Sequence, residues 1–490
     1  MKKFFLCLMT FIFIGLFGLA FTNWKYDELG ILRGDFSAVR LEPDQHVVKM
    51  RHVLSHPSQY DSFAFGSSRV AKIDLTRIPE GTWYNMSYSE GMPDEWLADL
   101  QQMLDHGVNV RRVLIGLDDG SFRMAPDAHE NRMDFRRPYR PYDVEFYLNE
   151  LFKKPKHVNP ADVQQHGALY DIYKTGRSYA PASVEAFIDE HPAEHAKDER
   201  LFLSSAYVGN HAEQTLATLQ KIKELADEHH IELTIFFNPM YQTTYVDNDL
   251  SELASFKRRL ASIVDYYDFC SLNGITTNPS NYYESSHYRP PVGDLLIDRI
   301  FLHAPEGADG FGTLVTTENI EDHLSLLAAQ IEPWESRNPH VHDETALRRG
   351  FTLYLPDRFL HLEKSDTRLL CHVEGVQPSI ENGVVSWAQN RPLLISGWMA
   401  PGNGLPLETL AVLERSDGIR YYLRVKTFSH PTMPAQMNDD GWQAGFSIEA
   451  TADTPPTGDY NLSLLMRTDK NEELTSGKLL TIHVSVPSTH

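Results

Sequence analysis

Short apolar runs alternate with longer amphipathic stretches from about residue 60 to about residue 329. The clearest apolar runs, each short enough for a buried strand, are residues 62–65, 110–117 and 232–238. Residues 215–230 place leucine and isoleucine on one helical stripe and run into the third strand with almost no loop. The pattern predicts an α/β domain, residues 25–330, with a parallel sheet and helices on both faces.

Three segments depart from this alternation. Residues 123–199 are polar and contain prolines, so we expect an insertion with a few helices that shapes a substrate site. We expect a linker at residues 331–368. Residues 369–490 consist of short β-like runs separated by Gly, Pro, Asn and Asp. Because helical periodicity is nearly absent there, we expect an all-β sandwich domain.

The N-terminal residues 1–24 have the pattern of a membrane anchor. Lys2 and Lys3 precede an uncharged apolar run from Phe4 to about Phe21, close to the roughly 17–25 residues of a membrane span. The positive-inside rule puts the lysines in the cytoplasm and the body outside it. A cleaved signal peptide is the alternative, since Gly18 and Ala20 offer small residues for a cleavage site. We therefore expect a bacterial inner-membrane protein with a periplasmic body, or a secreted protein after cleavage.

Composition excludes several functional classes. The 45 Lys and Arg residues against 67 Asp and Glu give a net charge of −22, the wrong sign for neutralising phosphates, so we expect no nucleic-acid partner. The 3 cysteines form no CxxC pair, so neither a disulfide framework nor a cysteine zinc site is predicted. A length of 490 residues predicts two or three domains.

A first candidate for chemistry is the segment FAFGSSRV, residues 63–70. It is an apolar strand that ends in Gly66-Ser67-Ser68 and opens a helix. A serine just past the carboxyl end of a strand lies where open α/β sheets bind ligands, and a helix N-terminus offers N–H groups to an anion. Ser68 is therefore a candidate nucleophile, and a structural helix cap is the alternative.

A second candidate is the segment YESSHYRPPVG, residues 283–293. Glu284 lies three residues before His287. A carboxylate in that position can hold the Nδ1–H of the imidazole while Nε2 faces a serine, as in serine triads. A surface pair ahead of a helix is the alternative.

Together the two segments resemble the first and last sequence blocks of the SGNH (GDSL) hydrolase superfamily. The first is similar to the Gly-Ser-Ser version of D-alanyl-lipoteichoic acid transfer proteins, and the second to the family's Asp-x-x-His block, with Glu284 in place of aspartate. The resemblance implies a three-layer flavodoxin-like α/β fold. It also implies that Ser68 is the nucleophile, His287 the general base and Glu284 the residue that orients it.

Two intermediate segments resemble the family's oxyanion-hole blocks. Residues 84–93 (YNMSYSEGMP) make Gly91 a candidate N–H donor beside the N–H of Ser68, and a helix N-terminal turn is the alternative. Residues 114–119 (LIGLDD) place Asp118 where the family has asparagine. An ionised carboxylate has no proton to donate to an oxyanion, so Asp118 departs from the pattern.

The resemblance covers roughly residues 58–302 and extends to membrane-anchored proteins of envelope polysaccharide loci, with alginate O-acetylation proteins as distant relatives. It implies acyl transfer through an acyl-serine to a cell-envelope glycan, without a cofactor, using an acyl donor that a membrane protein delivers. A carbohydrate esterase or deacetylase is the second alternative. A non-catalytic glycan-binding protein with a decayed site is the third.

Other clusters have simpler explanations. A histidine-rich run in the predicted linker offers metal ligands, but a solvated run is the favoured interpretation and no metal site is predicted: His340, His342 and Asp343. Aromatic residues of the C-terminal domain offer stacking surfaces for sugars, although core packing is favoured: Trp398, Trp442 and Tyr460.

Overall fold

The computed structural model describes residues 2–27, 30–33, 44–125, 138–140, 142–154, 169–197, 201–202, 204–207, 209–338, 363–364, 369–377, 380–381, 384–388, 393–400, 406–428, 445–450, 455–468, 470 and 472–485. Contacts divide the chain into two compact units, Met1–Pro333 and Trp334–His490. The first unit is mixed α/β and the second is built of β-strands, so the coarse fold predicted from the sequence is confirmed.

The first unit contains these helices and strands in chain order: α1 Lys2–Tyr26, α2 Gln45–Ser55, β1 Ser62–Gly66, β2 Trp83–Asn85, α3 Pro93–Asp105, β3 Arg112–Leu117, α4 Gly120–Arg123, α5 Val144–Phe152, α6 Ala182–Glu190, α7 Pro192–Lys197, α8 Ala212–Glu228, β4 Glu232–Phe237, α9 Gln242–Asp247, α10 Leu250–Ala261, β5 Tyr266–Asp268, α11 Pro290–Phe301, β6 Thr313–Val315 and α12 Ile320–Ala329. Helix α13, Ile331–Arg337, crosses the boundary between the units.

One mostly parallel sheet organises the first unit. Its order is β2-β1-β3-β4-β5-β6, in which β6 alone runs antiparallel to its neighbour. The three strands predicted from apolar runs are β1, β3 and β4. Gly66 pairs with Gly116, so β1 and β3 end at nearly the same level. The carboxyl ends of the parallel strands therefore meet at one edge, where the candidate residues lie.

Helices cover both faces of this sheet. Phe236 packs in a cluster with Leu296 and Ile297 of α11. The next residue of β4, Phe237, lies edge-on to Phe256 of α10, with ring centroids 6.0 Å apart. Successive side chains of a strand point to opposite faces, so α11 and α10 lie on opposite sides.

Helix α1 and the insertion flank this α/β core. Among the described residues α1 is the one helix long and apolar enough to cross a membrane or to serve as a signal sequence, with a mean hydropathy of 2.5. The Asn23 amide near its end donates to the carbonyls of Leu151 and Lys153, both at 2.8 Å. Residues 123–199, predicted as an insertion, contribute α5, α6 and α7.

The second unit contains these strands: β7 Glu363–Lys364, β8 Leu370–Gln377, β9 Ile380–Glu381, β10 Val384–Ala388, β11 Leu393–Ala400, β12 Pro406–Arg415, β13 Arg420–Arg424, β14 Lys426–Phe428, β15 Gly445–Ala450, β16 Gly458–Thr468, β17 Glu472–Thr475 and β18 Leu480–Ser485. They form an eight-stranded and a four-stranded sheet. Trp387 and Leu464 of the larger sheet share one buried cluster with Ile395 and Phe446 of the smaller.

The sequence predictions for this half of the chain have different outcomes in the structure. The predicted linker begins with α13, in which Trp334 is buried. Tyr460 packs in the core cluster, whereas Trp398 is half-buried beside His372. The histidine-rich run at residues 340–343 and Trp442 lie outside the described residues.

Candidate active site

The strand β1 delivers Ser68 to the carboxyl edge of the sheet. Its residues are all buried, and at Gly66 a Cβ atom would lie 2.4 Å from a methyl group of Val70. The chain then turns tightly, with the N–H of Val70 donating to the carbonyl of Ser67 at 3.0 Å. Ser68 follows at the top of this turn and is half-buried. The sequence folds this way because an apolar strand must end where glycine permits the turn.

The structure brings the three predicted catalytic residues together. The Oγ of Ser68 lies 2.7 Å from Nε2 of His287, across 219 positions of sequence. On the other side of the ring, Nδ1 of His287 contacts Oε1 of Glu284. When Nδ1 carries the ring proton, its N–H donates a hydrogen bond to the carboxylate. Nε2 then has a lone pair that accepts a hydrogen bond from the serine hydroxyl. The side chains of His287 and Glu284 are 30% and 31% exposed, so the group opens to solvent.

The carboxylate of Glu284 is held in its charged form. Its Oε2 accepts the N–H of Ser286 at 2.6 Å. Burial alone would raise the pKa of Glu284, but the hydrogen bond and charge of His287, with smaller contributions from Ser286 and Arg69, lower the pKa below its ordinary value. Glu284 therefore reaches the ring despite its extra methylene, and it stays ionised at neutral pH.

Arg69 ties three segments of the site together. Its Nε donates to the carbonyl of Ser286 at 2.9 Å, and its Nη1 lies 2.9 Å from Oδ2 of Asp118 and 3.4 Å from Oδ1 of Asp119. Its side chain is 3% exposed. Burial alone would lower the pKa of Arg69, but the two carboxylates outweigh burial and raise it. The turn that carries Ser68 is thus fastened to the loop that carries His287.

No role for Arg69 was predicted from the sequence. Its signal is a single charged residue in the otherwise uncharged segment FAFGSSRV, residues 63–70. Such a side chain cannot be buried without charged partners, so its position predicts an ion pair. The partners themselves could not be read from the sequence because they come from distant loops.

Asp118 serves as an acceptor in this network. Its Oδ2 accepts the hydroxyl of Ser67 at 2.5 Å as well as the guanidinium of Arg69, and its Oδ1 accepts the N–H of Ser121 at 3.3 Å. Both oxygens are occupied in this way, so Asp118 offers no donor to an oxyanion. Burial raises the pKa of the neighbouring Asp119, against the opposing charge of Arg69.

Gly91 lies beside the end of β1. A Cβ atom at Gly91 would come within 2.7 Å of the carbonyl oxygen of Gly66, so no side chain fits there. Its N–H makes a long bond of 3.3 Å to the carbonyl of Tyr88, whereas the N–H of Ser68 has no acceptor within bonding distance among the described residues. Gly91 also immediately precedes the cap of α3, so the alternative of a helix N-terminal turn describes its position equally.

The insertion holds the histidine loop from the outside. Glu185 of α6 accepts from both Nε and Nη2 of Arg289, at 2.9 and 2.7 Å, and from the hydroxyl of Tyr283. In α7, Nε2 of His195 lies 2.8 Å from the carbonyl of Tyr282. The loop with Glu284 and His287 is therefore bracketed by two insertion helices. These contacts could not be predicted from the sequence, because no motif links Glu185 to Arg289, 104 positions away.

The described residues contain no group of three or more His, Cys, Asp or Glu side chains that could hold a metal ion. No protein-family model matches the chain, and no curated protein has a similar sequence. The interpretation of the site therefore depends on its own geometry. A serine hydroxyl, an imidazole and a carboxylate in series at a sheet edge can perform nucleophilic acyl transfer.

Proposed function

We propose that this protein is an extracytoplasmic serine acyl-transfer enzyme of the SGNH type that modifies cell-envelope glycan through an acyl-serine. The observation that carries the proposal is the 2.7 Å contact between Oγ of Ser68 and Nε2 of His287. Glu284 lies behind the ring and completes the order of nucleophile, base and orienting carboxylate.

The fold supports the same assignment. The strand order β2-β1-β3-β4-β5 is that of flavodoxin-like doubly wound sheets. Ligands of such sheets bind outside the carboxyl ends of the strands, where Ser68 lies. A flavodoxin-like SGNH domain is therefore the finer fold assignment that we propose.

The first chemical step forms the acyl-enzyme. His287 takes the hydroxyl proton of Ser68 on Nε2 while Oγ attacks the carbonyl carbon of an ester or thioester. Glu284 stabilises the resulting imidazolium through the Nδ1–H bond. The backbone N–H of Ser68 stabilises the oxyanion. The N–H of Gly91 is a second donor once its long hydrogen bond to the carbonyl of Tyr88 breaks. The tetrahedral intermediate then expels the leaving group, which receives the proton from Nε2.

The second step transfers the acyl group. His287 removes the proton of an incoming hydroxyl, the hydroxyl oxygen attacks the acyl-serine carbonyl, and Ser68 recovers its proton as the ester bond to Oγ breaks. A sugar hydroxyl of an envelope polysaccharide as acceptor gives O-acyl transfer, with a membrane protein delivering the acyl donor. No cofactor takes part in this scheme.

Hydrolysis is the second candidate, because the triad opens to solvent and His287 is 30% exposed. Water reaching the acyl-serine would make the protein a carbohydrate esterase or deacetylase. A non-catalytic glycan-binding protein predicts a rotated or blocked histidine, and the contact with Ser68 counts against that alternative. For location, we propose that α1 is retained in the inner membrane with the body in the periplasm.

Intact-mass spectrometry of the full chain in detergent, after treatment with a serine-directed fluorophosphonate, tests the nucleophile. We expect one adduct that maps to Ser68, disappears in Ser68→Ala and forms slowly in His287→Ala. Ser67→Ala is the matched control, since it removes the neighbouring hydroxyl and should leave the adduct on Ser68. No adduct on the folded wild type would refute the proposal.

An activated acetyl ester then separates the two candidate reactions. Acetyl-enzyme formed from it is mixed with glycan acceptors in water, and acetylated glycan and free acetate are both measured. If free acetate is the only product with every acceptor tested, the result favours the esterase.

A further inference from the structure

A basic cavity lies next to the end of α1. Its volume is about 200 Å³, below the roughly 300–1,000 Å³ of sites that enclose drug-sized ligands, so it suits a small group. No described residue that lines it carries a carboxylate. The lining residues come from the segment after α1, from α2 and from the insertion: Gly30, Arg33, Val48, Arg51, His52, Ser55, His56, Ile172 and Tyr173.

The positive charge of the cavity comes from its arginines. The two terminal nitrogens of Arg51 donate to the carbonyls of Gly30 and Ile31, and among the described residues no carboxylate pairs with it. A guanidinium has five N–H donors, so Arg51 is held in place with donors to spare. Burial, and then the charge of His56, lower the pKa of His52 to about 4, so that ring is neutral at neutral pH.

Asp27, in the loop that follows α1, is bonded to the backbone and is not among the described residues that line the cavity. The carboxylate of Asp27 accepts the backbone N–H groups of Leu32 and Arg33, at 2.9 and 2.8 Å, and shapes the loop that follows α1. The guanidinium of Arg33 lies over the ring of Trp24, 5.8 Å from its centroid. The cavity is therefore joined physically to the last turns of the apolar helix.

The end of α1 has the residues of a membrane interface. Trp24 and Tyr26 are 47% and 51% exposed, and Lys25 lies between them. Tryptophan and tyrosine concentrate at the level of lipid headgroups. With α1 in a bilayer, the contact between Trp24 and Arg33 puts the cavity at headgroup height, and the bonds of Asn23 to the end of α5 fix the body there.

We propose that this cavity binds the phosphate group of an anionic membrane lipid, with Arg51 as its ligand. Arginine matches phosphate geometry with paired N–H groups, and such charge-assisted bonds are among the stronger hydrogen bonds in proteins. The site is separate from the Ser68 chemistry, but the lipid as source of the phosphate rests on the proposed retention of α1. A free phosphate has the same chemistry, and the test separates the two.

The test is native mass spectrometry of the full chain in detergent, titrated with phosphatidylglycerol, phosphatidylcholine or inorganic phosphate. Ser55 provides a matched pair of variants, because it is exposed at the cavity and its hydroxyl bonds its own helix at the Arg51 carbonyl. Ser55→Glu puts a negative charge beside the site, and Ser55→Gln adds nearly the same volume without charge. Arg51→Gln removes a proposed ligand.

We expect Arg51→Gln to weaken phosphatidylglycerol binding by roughly 10- to 100-fold, the range for loss of a charged hydrogen bond. Ser55→Glu should weaken it by about five-fold or more, because its carboxylate repels the phosphate. Ser55→Gln should change it by less than about two-fold, and phosphatidylcholine should bind more weakly. Inorganic phosphate that binds as tightly as the lipid identifies a free phosphate as the ligand. Equal lipid binding by the two Ser55 variants, or equal affinity for both lipids, overturns the proposal. The intact mass shows whether α1 is retained, and Ser68 labelling is a separate readout for the acyl-transfer proposal.

Discussion

Replacing Arg69 with methionine tests whether one buried cation holds the candidate site together. The substitution keeps an unbranched apolar side chain but removes the guanidinium from Asp118 and Asp119, whose side chains are 2% and 0% exposed. It also removes the bond to the carbonyl of Ser286. Breaking a buried ion pair from one side leaves uncompensated charge and costs about 3–5 kcal/mol. We therefore expect the α/β unit of Arg69→Met to melt roughly 5–10 °C lower at neutral pH.

The deficit has a defined pH dependence. Burial already raises the pKa of Asp119 against the opposing charge of Arg69, so loss of Arg69 raises it further. A carboxyl with a raised folded-state pKa binds more protons when folded, so stability falls as pH rises from about 4 to that pKa. The difference between Arg69→Met and wild type should therefore be smaller at pH 5 than at pH 7.5.

Thermal unfolding of the full chain at both pH values measures the loss of stability. The rate of fluorophosphonate labelling at Ser68 measures whether the loop that carries His287 keeps its position. Labelling should slow because Ser286 precedes His287 directly. Arg69→Met combined with Asp118→Asn and Asp119→Asn is the control, since it removes the stranded charges and should regain most of the stability. Unchanged melting and labelling in Arg69→Met, or a deficit that is equal at both pH values, would refute the reasoning.

Three further substitutions test separate features. Glu284→Gln keeps the shape but loses the charge behind the imidazole, so labelling should fall by about 10²–10⁴-fold; because the pKa of Glu284 is lowered, the wild-type advantage should persist at mildly acidic pH, and an equal rate for the variant contradicts this role. Burial lowers the pKa of Lys49 to about 7, so the folded state loses this proton before the unfolded state does. Relative to Lys49→Met, chemical denaturation should show wild-type stability rising by up to about 4 kcal/mol from pH 7 to 10, and a difference that does not change with pH contradicts this. Gly91→Ala should destabilise by about 1–3 kcal/mol in thermal melts, because its Cβ would lie 2.7 Å from the carbonyl oxygen of Gly66, and an unchanged melting temperature contradicts that crowding.

Local patterns in the sequence predicted the strands that build the sheet. The apolar runs at residues 62–65, 110–117 and 232–238 became β1, β3 and β4, because strands buried on both faces must be apolar along their length. The paired motifs also predicted which side chains meet, since Ser68 and His287 each flank an element that ends or begins at the same edge. A motif of this kind is local information about a distant contact.

The missed features depend on contacts between distant segments. The loops that supply Asp118 and Ser286 reach Arg69 only after the sheet has formed, and Glu185 reaches Arg289 across the insertion. In the second unit, β10 pairs in parallel with β18, a pairing that alternating polar and apolar residues do not encode. Periodicity reports which face of an element is buried, but not which element covers it.

The clamp between Glu185 and the Tyr283–Arg289 segment couples the insertion to His287, the proposed catalytic base. Loops around a conserved scaffold are usually the exchangeable part of an enzyme, so that new substrates can be accommodated by swapping them. In this protein, a replacement insertion that lacked Glu185 would remove hydrogen bonds that hold Arg289 and the loop that carries His287. Under the proposed function, a change of acceptor preference should therefore arise by substitutions on the insertion surface, with the clamp residues kept, and not by replacement of the whole insertion.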